Sequence, residues 1–186
     1  MMINPGFPTY CYRVDACDDL VWVDAAWLAF ARENGAAELT EKSVQGRSLW
    51  EFIADATTQS LYQEIHRRIR LTGQSSVIPI RCDSPNLKRQ MQLTISCEPE
   101  GTLHYRSVLL RVELQPRFTL LEPSTKRTAD ELTMCSCCKK CLVEPTDWVE
   151  LEIMAARLNL LENETAPCLL YSVCPGCTDA ARSSSH

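Results

Sequence analysis

Apolar and polar residues alternate along three closely spaced runs near the middle of the chain, and a period of two predicts strands with one face on a core. The runs cover 77–82, 90–97 and 103–114, with the turn formers Ser84-Pro85-Asn86 and Pro99-Glu100-Gly101 between them. Two shorter apolar runs, 10–14 and 20–23, flank Asp15, Asp18 and Asp19 and predict an amino-terminal hairpin. Between these two sets of strands the period changes to that of a helix. Asp24 stands at a cap position ahead of Trp27, Leu28, Phe30 and Ala31, and Asn34-Gly35 stops the run. Residues 36–46 are polar and predict a loop. Ser48 and Glu51 have the spacing of a capping box at the start of a short helix that holds Leu49, Trp50, Phe52 and Ile53. A longer helix over about 57–71 puts Leu61, Ile65 and Ile69 on one face and Glu64, Arg67 and Arg68 mostly on the other, and Gly73 ends it.

Two strands, several helices and then three strands predict an α+β class, a five-stranded antiparallel sheet with short helices on one face. Residues 116–131 carry two prolines and several Ser and Thr in a broken pattern. They read as a linker between a sheet domain at 10–115 and a cysteine-rich tail at 132–178. In the tail, Thr146 or Asp147 is placed to cap a helix with Trp148, Leu151, Met154 or Ala155, and Leu158 on one face. So short a segment is expected to lack a core of its own and to dock on the sheet or on a partner subunit.

At 186 residues, 45% hydrophobic and 23% charged, the chain suits one ordinary domain plus a small appendix and is not disordered as a whole. A net charge of −5 argues against a general nucleic-acid or anionic-membrane partner. Residues 1–10 contain Pro5 and Pro8 with no basic segment leading into an apolar run, and no stretch approaches the length of a membrane span. These features predict a cytoplasmic protein, where thiols stay reduced and clustered cysteines signify metal or redox chemistry more often than structural disulfides.

The cysteines gather in C-S-C-C-K-K-C from Cys135 and C-L-L-Y-S-V-C-P-G-C from Cys168. Two residues between cysteines let a tight turn aim both sulfurs at one point, and two such turns supply the four thiolates that tetrahedral Zn2+ prefers. Cys135 and Cys138 form the first pair, Cys174 and Cys177 the second. By spacing alone Cys138 and Cys141 serve equally well. Lys139 and Lys140 favour the former pair, because they then follow its second ligand and offset the charge of the centre. Pro175-Gly176 reads as a turn wrapping the ion. Four thiolates leave no coordination position for a water, so the expected role is structural rather than hydrolytic. Cys137, Cys141 and Cys168 are surplus thiols, candidates for an alternative metal set or for redox exchange. An all-sulfur site also admits Cu(I) or an iron-sulfur cluster.

The order of elements, with V-Q-G-R-S-L-W-E-F-I at 44–53, resembles the PAS domain, a bacterial sensor and dimerisation module. I-R-C-D-S-P ahead of K-R-Q-M-Q-L-T-I resembles a subset of stand-alone bacterial PAS proteins. Some PAS-containing signalling proteins carry a tail of C-x-x-C-K-K, a Trp-bearing helix and C-P-x-C, which Cys135, Cys138, Lys139, Lys140, Trp148, Cys174 and Cys177 resemble. Cys137 and Cys141 depart from that tail, where apolar or aromatic residues are usual. The resemblance covers 10–114 and 132–177 and implies a non-enzymatic sensing or interaction module. Such a module acts through contact with another signalling or regulatory protein or with a second copy of itself.

Some haem-binding members of that family present their axial ligand from the longer helix, which makes His66 a haem candidate here, while a lone helix histidine beside Arg67 and Arg68 is more often a partly exposed surface residue. Leu49 stands where the light-sensing subset has its reactive cysteine. Trp27 and Trp50 are candidates to line a ligand pocket or simply to fill the core. Arg81, Asp83 and Arg89, with Cys82 and Lys88 beside them, read either as a contact site for a partner or small anion or as ion pairs in a solvated turn. No nucleophile, base and orienting group stand in suggestive order, and three histidines leave little for acid-base work.

Overall fold

In the computed structural model, which describes residues 7–159 and 164–183, the five expected strands form one antiparallel sheet. They are β1 (Thr9–Val14), β2 (Leu20–Val23), β3 (Ser76–Arg81), β4 (Leu87–Cys97) and β5 (Leu103–Leu114), in spatial order β2-β1-β5-β4-β3. Pro79 has no N–H to donate, and it is tolerated because β3 is an edge strand paired only with β4. Between β2 and β3 come α1 (Ala25–Glu33), α2 (Glu41–Val44), a 3-10 turn at Leu49–Phe52, and α3 (Ala56–Thr72).

Caps fix where these helices begin. Asp24 accepts from the amide of Trp27 at 2.6 Å and Asp55 from that of Thr58 at 2.7 Å, while Gly73, at φ +71°, closes α3 in the left-handed region. The polar segment 36–46 is not all loop. Thr40 and Ser43 cap each other there and hold the single turn of α2.

Alternation on β4 and β5 sends Leu93, Ile95, Leu103 and Tyr105 inward, where they meet Leu61, Ile65 and Ile69 of α3 in one buried cluster. Each fully buried aliphatic side chain there contributes about 1.5–3 kcal/mol.

The carboxy-terminal part is a second sheet rather than a tail. It contains β6 (Lys126–Cys135), β7 (Cys141–Glu144), β8 (Asp147–Val149) and β9 (Thr165–Ser172) in the order β8-β7-β6-β9, with β6 and β9 parallel. Two helices complete it, α4 (Leu151–Arg157) and α5 (Pro175–Ser183). β6 starts inside the segment read as linker, and Phe118 and Leu120 from that segment are buried. With Leu132, Met134, Cys141, Leu151, Met154, Ala155 and Ala166 they form a core of the unit's own, contrary to expectation.

Trp148 is on β8, not on a helix. Pro145-Thr146 make the turn of a hairpin in which Trp148 pairs with Leu142, so strand pairing overrides the capping signal and α4 begins only at Leu151. Leu151, Met154 and Ala155 do share the buried face, but Leu158 stays exposed.

The two units meet along α5. Its Ala181 is fully buried in the core of the first unit, and Arg68 on α3 donates to the carbonyls of Ala181 at 2.9 Å and Arg182 at 2.7 Å. No helix among the described residues is long and apolar enough to cross a membrane.

Candidate metal centre

The first cysteine pair sits where β6 ends and β7 begins. Cys135 is the last residue of β6, and its amide donates to the carbonyl of Lys140 at 2.7 Å, while the Lys139 amide donates back to the Cys135 carbonyl at 3.0 Å. Lys139 takes φ +65°, a left-handed turn that glycine adopts more readily and that is held here by those flanking bonds. The second pair opens α5. Cys174 immediately precedes the helix, its carbonyl accepts from the amides of Cys177 and Thr178, both at 3.1 Å, and Pro175 occupies the first helical position. Pro175-Gly176 is therefore a helix start and not a wrapping turn. The positive end of the α5 dipole faces the sulfurs, which favours thiolate there.

These two turns bring Cys135, Cys138, Cys174 and Cys177 together, with their sulfurs all within 4.8 Å of one another. The Cys138 and Cys174 sulfurs are 3.6 Å apart. A tetrahedral ion with Zn–S bonds of about 2.3 Å needs sulfurs about 3.8 Å apart, whereas a disulfide needs about 2.05 Å. The donor set and its spacing fit a metal ion. The Cys174 amide donates to the Cys135 sulfur at 3.4 Å, a bond that suits an anionic sulfur. Hydrogen bonds from Cys137, Cys138 and Cys177 hold the Cys135 thiol well below its ordinary range, while hydrogen bonding to Cys135 pushes Cys138 up to about 12 and Cys177 higher still.

Cys137 lies beside this group, buried and packed with Cys135 and Cys174, and is pushed up to about 11, chiefly by Cys135. Cys141 lies apart from the four, in the core of the second unit, and burial pushes it up to about 12. Cys168 is on β9 and donates to the Thr128 carbonyl at 3.4 Å. Trp148 and Val173 pack against the sulfurs. Of the two lysines, Lys139 donates to the Ser136 carbonyl at 2.7 Å, and Lys140 stands 3.5 Å from Glu150, which raises it.

The centre is at the seam between the units. Ser136, between Cys135 and Cys138, has its hydroxyl 2.6 Å from that of Thr58 on α3. Tyr62, one turn further along α3, is half-buried, and its hydroxyl is raised by burial and by the nearby Cys137, Cys177 and Cys135.

Arg81 and Asp83 also belong to the seam rather than to a solvated turn. Arg81, 9% exposed at its side chain, pairs with Asp83, with Glu150 at 3.3 Å and with Glu152 at 3.0 Å, and Lys88 adds a bond to Glu152 at 2.8 Å. Arg89 instead reaches Asn34 at 2.9 Å and lies over the ring of Phe30. The ion pairs with α4 were hidden in the sequence by nearly seventy intervening residues, a span about the length of a small domain.

His66 is buried, against the surface position expected of a helix histidine beside two arginines. Its Nδ1 is 2.7 Å from Asp18, its Nε2 meets the Tyr105 hydroxyl, and Trp50 lies against the ring. Both ring nitrogens are thus engaged, and neither faces an open position for haem iron. Trp27 lines a mostly apolar cavity of about 260 Å³ with Tyr12, Leu20, Leu49, Phe52, Ile53, Thr58 and Tyr62, while Trp50 is packed against the core.

No family model matches the chain, and no curated protein matches it. Among solved structures it is similar to a domain of an HTR-like protein from Haloarcula marismortui ATCC 43049. Identity is 12% and the TM-score 0.36, over 56% of this chain and 99% of that one.

Proposed function

We propose that the chain is a non-enzymatic PAS-like sensing or protein-interaction module of cytoplasmic signalling. Its four-cysteine centre takes one structural Zn2+. The observation that carries this reading is the position of the four sulfurs at the seam, where a metal joins a turn of the second sheet to the helix that docks on the first unit. Zinc is favoured because a closed set of four thiolates suits it and leaves no position for substrate or water. Such an ion supplies cross-linking and no reaction chemistry. Cys135 and Cys138 hold the β6-β7 turn, and Cys174 and Cys177 hold the start of α5.

The five-stranded antiparallel sheet with its helices inserted between β2 and β3 supports the PAS-like reading, as does the capping box formed by Ser48 and Glu51 within the 44–53 motif. A change at the sheet or at the apolar cavity would reach a partner protein, or a second copy of the chain, through the surface that the metal holds in shape. Elemental analysis and native mass measurement of the purified chain test this together. One zinc per chain and no chromophore are expected, and a metal-free chain of unchanged stability would overturn the reading.

A further inference from the structure

The first turn of α3 touches both the apolar cavity and the two arms of the cysteine centre. Thr58, buried in that turn, lines the cavity and meets the Ser136 hydroxyl at 2.6 Å, between Cys135 and Cys138. Thr57 beside it donates to the hydroxyl of Ser172 at 3.2 Å, shortly before Cys174, and the Ser136 amide donates to the Ser172 carbonyl at 2.8 Å. The side-chain amide of Gln59 donates to the carbonyls of Trp50 at 3.1 Å and Ile53 at 2.7 Å. Those bonds tie the turn to the segment that supplies Leu49, Phe52 and Ile53 to the cavity wall.

The cavity has the size and lining of a small ligand site. Its volume of about 260 Å³ exceeds the roughly 150 Å³ that holds a benzene ring in an apolar core, so a fused pair of rings fits. No side chain around it is charged at neutral pH, which makes an ionised guest costly there. Trp27 meets Tyr12 edge-on, with ring centroids 6.3 Å apart, and Phe52 and Tyr62 add further aromatic surface for a flat guest.

We propose that the cavity binds a small neutral aromatic molecule the size of a fused ring pair, and that the first turn of α3 carries its occupancy to the cysteine centre. The proposal deepens the sensing reading above and rests on it and on the four-cysteine metal site. A guest packed against Thr58 and Ile53 holds the turn where it bonds Ser136 and Ser172, and so orders the strand ends that carry the cysteines. Guest and ion then favour each other, by the same factor in both directions.

Indole is the probe, with indole-3-acetate as its charged counterpart, each titrated calorimetrically into the zinc-loaded chain. Indole binds and the anion does not, and Ile53→Trp, which fills the cavity, loses indole. Zinc affinity is measured by competition with a chromogenic chelator. It rises about fivefold with saturating indole in the wild type, and by less than about twofold in Ser136→Ala, which still binds indole. The proposal is overturned by no indole binding, by equal binding of the anion, by binding that survives Ile53→Trp, by a zinc affinity that indole leaves unchanged, or by an equal rise in Ser136→Ala. Each of these leaves the metal reading standing. If Ile53→Trp does not fold, the wild type and Ser136→Ala decide. If the chain takes up no zinc, the metal reading fails by itself. Indole that then binds and slows hydrogen exchange of the amides of 136–140 still supports the link, and indole that binds without slowing it overturns the link.

Discussion

The amide of Arg81 donates to the carbonyl of Cys137 at 2.7 Å, so the edge strand of the first sheet is bonded directly to the turn between Cys135 and Cys138. One residue earlier in that turn, Ser136 meets Thr58 of α3. The turn is gripped on both sides by the first unit. Whatever orders it therefore also orders the seam, where the two units are bonded at this turn, between Arg68 and the end of α5, and between Arg81 or Lys88 and Glu152.

Breaking the Thr58–Ser136 bond measures that coupling. Thr58→Val and Ser136→Ala should each cost about 0.5–1.5 kcal/mol, and the double variant should cost clearly less than their sum, as measured by urea denaturation. Strict additivity would mean that the two hydroxyls do not interact.

Removing Arg81 should be more damaging, because the Asp83 side chain is fully buried and would be left without its guanidinium partner. Arg81→Ala is expected to lose about 3 kcal/mol, whereas a paired Arg81→Met, Asp83→Leu variant should recover most of it. A loss below about 0.5 kcal/mol would place the pair in the solvated class instead.

The strands, the cap at Asp24, the end of α3 at Gly73 and the four cysteines were legible because each is written locally, in a period, a cap or a spacing. What escaped was set by distant partners. β6 looks like a linker until β9 is placed parallel beside it, and Trp148 looks helical until Leu142 pairs with it. His66 beside Arg67 and Arg68 looks exposed, yet Asp18, Tyr105 and Arg70 form a polar site for its ring inside the core. Arg70 itself completes that site by bonding Asp18 at 2.7 Å.

That histidine also predicts a pH dependence. Burial, with Arg70 adding to it and Asp18 opposing, lowers His66 from its ordinary 6.5. Below about pH 6.5 the unfolded chain binds a proton that the folded chain resists, so stability falls as pH drops through that value. Glu152, held down to about 2 by Lys88 and Arg81 against the effect of burial, extends the loss weakly from about pH 4.5 downwards. Denaturation midpoints measured from pH 8 to pH 5 should decline in the wild type and decline less in His66→Gln. A wild-type midpoint that rises over that range would contradict the assignment.

Stripping the metal should loosen the second unit more than the first. Hydrogen exchange after chelation should quicken in β6, β7 and α5 by about tenfold or more while the amides of β4 and β5 keep their protection. Equal loss in both units would show that the ion is not local to the seam.

Native mass spectrometry of the wild type and of single Cys→Ser variants asks most directly whether four sulfurs from two distant turns close on one ion. The expected result is one zinc per chain, lost on substitution of Cys135, Cys138, Cys174 or Cys177 and kept on substitution of Cys141 or Cys168. A chain that binds no zinc, or one that keeps it without Cys177 and loses it without Cys141, would contradict the account.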